Sequence, residues 1–173
     1  MKSLKSDLVE LGAVKYSFPK EIDGRIESLC HIKGVLVYEV PEIVKMKPIE
    51  NIFLSNNIKG YNRCFVIRRR LTNEIIICIR PCDFAGRPIT ELEFGLWHEY
   101  GHIDCNDPLD EEYADNYARA RLTERYGKDE SDRIYLDFIL NEYQVDISTG
   151  KPVKPITGRY IHRLTVLTDY FNK

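Results

Sequence analysis

The chain has 173 residues, 43% hydrophobic and 30% charged, with a formal net charge of −2. That is enough chain to close a core without disulfide staples, and the charge lacks the basic excess that nucleic-acid and anionic-membrane binders carry. The opening MKSLKSDLVELG has neither the apolar centre nor the cleavage site of a secretory signal, and no stretch nears the roughly 18 apolar residues that span a bilayer, so a cytoplasmic protein with no nucleic-acid and no membrane partner is expected.

Five cysteines, at positions 30, 64, 78, 82 and 105, make an odd number without a secretory signal, which predicts reduced thiols rather than a disulfide framework. Cys78 and Cys82 have no second pair at zinc-ribbon spacing. No repeat, low-complexity tract or Gly/Ser linker interrupts the sequence. A single domain over 1–173 is expected, strand-rich across 33–88 and helical across 90–173.

In chain order, short helices are predicted over Leu4–Val14 and Ile22–His31. The β-branched run Val35–Val40 reads as a strand stopped by Pro41. Arg63–Arg68 and Glu74–Arg80 read as two strands, with the residues between them as a hairpin connection and the arginines at 68–70 as its solvated tip. Pro81 and the segment 83–88 end the strand region. Thr90 then reads as an N-cap, with Glu93 completing a capping box, for a helix running to about Cys105. Asp107 and Pro108 restart a helix, as N-cap and first helical residue, that carries Glu111 to Tyr126 and stops at Gly127. A third helix is predicted from Ser131 to about Val145. A last one sets Ile161, Leu164, Leu167 and Phe171 on one side. Strands first and helices second make the fold class α+β.

The residues that carry chemistry are His98-Glu99-Tyr100-Gly101-His102. A spacing of four on a helix stacks both imidazoles on one face, where they can share one tetrahedral ion. Glu99 sits about 100° further round, placed to act on water as a general base without ligating the metal. Two of the four histidines fall in this motif, whereas random placement gives roughly 0.01 occurrences. A catalytic zinc needs a third ligand and an open position, and the next helix offers Glu111. Asp115, four residues on, shares its face and is expected to accept a ring N–H from one of the histidines. Glu112 competes as ligand but points about 100° away. Ala114 and Ala118 would let the two helices pack closely. Trp97 is most simply a core anchor of the metal helix.

The HEYGH motif followed by E-x-x-A-D-x-x-A (Glu111, Ala114, Asp115, Ala118) resembles the gluzincin peptidases, in particular the ImmA/IrrE-like zinc peptidases, over roughly residues 90 to 122. Glu111 follows His102 by nine positions, a shorter interval than in many members. The resemblance implies a compact mini-zincin, a small twisted antiparallel or mixed sheet packed on an active-site helix, with one Zn2+ per chain. It also implies cleavage of an intracellular protein, often a repressor or other regulator. In zincins the strand before the active-site helix is commonly an exposed edge that pairs with extended substrate. Ile75, Ile77 and Ile79 are placed for this, although an interior strand would suit the same run equally well. A hydrolase of this type also needs an oxyanion donor. His162 is the first candidate, with Tyr160, Arg159 and Tyr143 behind it.

The function expected is therefore a zinc-dependent endopeptidase acting on a protein or peptide. Two alternatives share the site: a catalytically silent, metal-stabilised binding module, which would have no use for Glu99, and a zincin-type toxin or effector.

Overall fold

A computed structural model of the protein describes residues 3–40, 52–54, 64–69, 72–80, 84–107 and 109–173. The fold is α+β, and the chain divides into two compact units, 1–100 and 101–173. None of the described helices is long and apolar enough to cross a membrane.

In the first unit, helix α1 (Leu4–Glu10) begins at Ser3, whose hydroxyl accepts from the Ser6 amide. Its Leu4 amide donates to the Glu74 carboxylate at 3.1 Å. α1 ends sooner than the apolar pattern suggests because Gly12 takes a positive φ of 90°. The chain then pairs as β1 (Val14–Lys15). Helix α2 (Gly24–Ile32) is capped by Asp23, which accepts from the Arg25 amide. It includes His31, expected ahead of the strand and found exposed in the last helical turn.

Strands β2 (Leu36–Glu39), β3 (Ile52–Leu54), β4 (Cys64–Arg69) and β5 (Glu74–Ile79) complete a mixed sheet in the order β1-β2-β5-β4-β3. β5 runs antiparallel to β4, with Cys64 opposite Ile79 and Arg69 opposite Glu74. On its other side it runs parallel to β2, with Leu36 opposite Ile76 and Glu39 opposite Ile79. The expectation of a substrate edge at Ile75, Ile77 and Ile79 is thus corrected: β5 is an interior strand. The reason is hydrophobic. Ile76 to Ile79 are all buried, so successive residues bury on both faces, which an edge strand exposed to solvent would not sustain. Leu4, Leu8, Tyr38, Val40, Ile67, Ile76 and Cys78 form a core cluster in this unit.

The arginine that ends β4 also differs from expectation. Arg69 is buried and pairs with Asp7 of α1, so it is a tie between helix and sheet rather than part of a solvated tip. Pro41, Arg70, Leu71, Pro81, Cys82, Asp83 and Pro108 lie outside the described residues.

Helix α3 (Ile89–Asp104) starts one residue before the expected cap, immediately after Pro88, so Thr90 lies within it. Its Glu91 forms an ion pair with Arg87 at 2.8 Å. Residues 91–102 are buried throughout, which marks a helix enclosed on more than one side. Trp97 is fully buried, as its role of anchor requires, and Tyr100 meets it edge-on at 6.2 Å. A Cβ added at Gly95 would stand 3.4 Å from Cys64 Sγ and 3.5 Å from the Phe84 ring, so α3 packs on β4 there.

The second unit opens with the end of α3. Helix α4 (Glu111–Tyr126) follows, then α5 (Lys128–Glu142), a two-stranded ribbon of β6 (Val145–Asp146) and β7 (Lys151–Pro152), a 3-10 turn at Gly158–Tyr160, and α6 (Ile161–Phe171). The N-cap of α4 is Asp110, whose side chain accepts from the Tyr113 amide. Asp107, the expected cap, instead accepts from the Leu109 amide at 2.8 Å and shapes the turn before the helix. α5 starts directly after Gly127, earlier than expected. The buried residues of α6 are Arg163 and Leu167, while Ile161 and Leu164 are exposed. Of the expected apolar stripe Leu167 is buried, together with Arg163, whose partner is described below.

Candidate metal centre

His98 and His102 lie one turn apart on α3, and Glu111 is the first residue of α4. All three are buried, and each offers a ligand atom within 4.8 Å of the others'. The group could hold a metal ion. Glu112, the competing carboxylate, is exposed and outside it.

Two local features bring the carboxylate to the imidazoles. The first is a close helix crossing. A Cβ at Gly101 would fall 2.9 Å from Ala114 Cα and 3.1 Å from Tyr117 Cβ. Glycine at 101 and alanine at 114 therefore set how near α4 can come to the last turn of α3. The second is the short turn between the helices, pinned when Tyr113 Oη donates to Asp104 Oδ2 at 2.8 Å. Asn106, at a φ of 55°, reverses the chain there.

The orientation of His102 is informative. Its Nδ1 donates to the Asp107 carbonyl at 3.1 Å, which leaves Nε2 as the nitrogen with a lone pair. That nitrogen stands 3.3 Å from Glu111 Oε2. In a neutral ring a lone pair and a carboxylate oxygen would face each other at close range in a buried setting, an arrangement that a cation shared between them relieves. The separation also suits the purpose, since two ligands about 2.1 Å from a tetrahedral ion stand about 3.4 Å apart. The residues present therefore fit a bound cation.

Glu99 follows His98 on α3 and is buried. Beneath it in the sheet, burial pushes the Cys78 thiol far up, and the negative charge of Glu99 adds to the shift. Both influences disfavour a thiolate at Cys78.

Asp115 is buried on α4, and it draws together side chains of α5 and α6. Arg163 Nε donates to Oδ2 and Nη2 to Oδ1, each at 2.8 Å. Tyr135 Oη donates to Oδ2 at 2.7 Å and His162 Nε2 donates to the same oxygen at 2.6 Å. One imidazole that Asp115 meets is that of His162, and the Nδ1 side of the His102 ring is aligned by a main-chain carbonyl. Burial opposes the charge of Arg163, but Asp115 overrides it and holds the guanidinium well above its ordinary range. For Tyr135 burial leads, with Asp115 adding to it, and the phenol is pushed far up.

His162, expected as an oxyanion donor, thus has Nε2 engaged with Asp115. Tyr143 Oη accepts from Arg163 Nη1 at 3.0 Å. The Arg163 guanidinium lies 4.7 Å from the centre of the Tyr160 ring. The cation beside the cluster is Arg159, whose Nη1 is 3.8 Å from Glu111 Oε1. Sequence reasoning missed Arg163 and the Asp107 carbonyl. The first carried a readable signal, an arginine four residues before Leu167 on one helical face. The second carried none, since every residue has a carbonyl. Comparison with family models, with curated proteins and with solved structures gives no match.

Proposed function

We propose that this protein is a zinc-dependent endopeptidase that hydrolyses a peptide bond in a protein or peptide substrate. The observation that carries the reading is the buried group of His98, His102 and Glu111 with a further buried glutamate, Glu99, next to the first ligand. Two imidazoles and one carboxylate suit zinc better than a hard cation, which would call for more oxygen donors.

Zinc bound there would supply Lewis acidity and lower the pKa of water toward neutrality. The remaining work falls to the chain. Glu99 takes a proton on a carboxylate oxygen from the attacking water and returns it to the departing amine nitrogen. The Asp107 carbonyl holds His102 in one tautomer, so the ligand nitrogen needs no reorientation when charge changes nearby. Burial of the group excludes bulk water and strengthens each of these interactions. A silent binding module would keep the ligands but has no use for a buried glutamate at position 99.

The test combines zinc content with a trap. Wild type and Glu99→Gln should both carry one zinc per chain, and Glu99→Gln should retain a protein partner that wild type cleaves. Turnover on that partner should fall by about 10²–10⁴ in the variant, the usual worth of a general base. Full turnover by Glu99→Gln, or a wild-type chain that binds no zinc, would remove the reading.

A further inference from the structure

We propose that Arg159 is the catalytic residue that donates to the oxyanion, an assignment that rests on the hydrolytic reading above. As water adds to the scissile carbonyl carbon, the C=O π pair moves onto oxygen, which becomes an alkoxide. When the adduct collapses, that pair returns and the C–N bonding pair leaves with the amine nitrogen, which takes the proton held by Glu99. The oxygen needs a fixed donor while it carries charge.

Arg159 Nη1 meets the requirements. It stands 3.8 Å from Glu111 Oε1, on the carboxylate whose other oxygen faces His102. That distance is an ion pair but too long for a hydrogen bond, so the N–H is not spent on the ligand. The nitrogen is buried and donates no hydrogen bond to any described residue, while the side chain as a whole remains 27% exposed. A buried donor without an acceptor is destabilising, and an oxygen arriving beside Glu111 would satisfy it. A guanidinium offers several N–H donors in a fixed plane and no acceptor, so it suits an oxyanion rather than the proton transfer assigned to Glu99.

The other candidates have partners of their own. His162 Nε2 is on Asp115, Tyr143 Oη takes a hydrogen from Arg163, and the Tyr160 ring faces the Arg163 guanidinium. The place of Arg159 also has a local cause. It lies in the 3-10 turn that leads into α6, and α6 is held to α4 by the bidentate Arg163–Asp115 pair one helical turn beyond Glu111.

The test measures zinc affinity and the binding of phenylphosphonate, a tetrahedral oxyanion, by calorimetry on the zinc-loaded full chain. Arg159→Ala should keep zinc affinity unchanged and lose about tenfold or more in phenylphosphonate affinity, the worth of a charge-assisted hydrogen bond. Arg159→Lys should recover part of that loss. Arg159→Gln, which keeps length without charge, replaces the alanine variant should the latter fail to fold. Unchanged phenylphosphonate binding overturns the assignment, as does a wild type that binds zinc but not the anion. Loss of zinc together with the anion also overturns it, since Arg159 would then act by holding Glu111. A wild type without zinc overturns the hydrolytic reading itself, which separates the two failures.

Discussion

At position 115 one buried carboxylate receives four hydrogens from three side chains, Arg163, Tyr135 and His162. A buried ion pair contributes little when intact relative to apolar packing, but removing one partner strands the other charge. Arg163→Met should therefore lower the unfolding free energy in urea by about 3–5 kcal/mol. An unchanged midpoint would mean that Asp115 finds compensation elsewhere. The motif drew attention to Asp115 but not to its partners. Those lie 20, 47 and 48 residues away, a range at which neither periodicity nor spacing speaks. The grouping of His98, His102 and Glu111 was legible for the opposite reason, because a four-residue interval and a following helix start are local facts. The choice of Glu111 over Glu112 followed from helical rotation alone, and the one is buried in the cluster while the other is exposed.

Among elements, the crossing of α3 and α4 turns on a glycine. Inside a helix Gly101 sacrifices about 1 kcal/mol of intrinsic stability relative to alanine, so its presence there asks for a packing reason. The reason is the 2.9 Å that a Cβ would leave to Ala114 Cα. Gly101→Ala should still destabilise, because overpacking of about 1–3 kcal/mol exceeds the propensity gained. It should also weaken zinc binding by moving Glu111 away from His102. Urea midpoints and a competition titration with a chromophoric chelator would read the two effects; a variant more stable than wild type with intact zinc affinity would contradict this account. Strands β2, β4 and β5 were legible to within a residue or so, as in Cys64–Arg69 and Glu74–Ile79, because β-branched runs bounded by turn residues are local signals; the two- and three-residue strands β1, β3, β6 and β7 were too short to carry one. The place of β5 in the sheet was not legible. Its isoleucines suit an edge or an interior equally, and the parallel pairing with β2 depends on residues far apart in the chain.

For the whole molecule, the response to alkali follows from two buried acids. Burial pushes the Cys30 thiol up to about 12 from 9.0, and burial, with the charges of Cys64 and Glu39 behind it, pushes the Tyr16 phenol up to about 12 from 10.0. Both groups hold their protons more tightly when folded, so the native state binds more protons than the unfolded one between about pH 9 and 12. The stability they contribute is complete below that window and drains away as pH rises through it. The urea midpoint should fall steadily from pH 9 upward, and the slope should flatten in Cys30→Ala/Tyr16→Phe. A midpoint that holds or rises over the same range would refute the linkage. The α+β class was legible from the order of strand-like and helix-like segments; the burial of Arg69 against Asp7 was not, since a run of arginines beside a turn ordinarily stays in water.

The anchor on His102 is a main-chain oxygen, and no point mutation deletes a carbonyl. Replacing the side chain at 107 leaves the acceptor in place, whereas inserting or removing a residue between 103 and 110 changes which carbonyl arrives at the ring. The segment joining these helices is thus tolerant of spelling and intolerant of length.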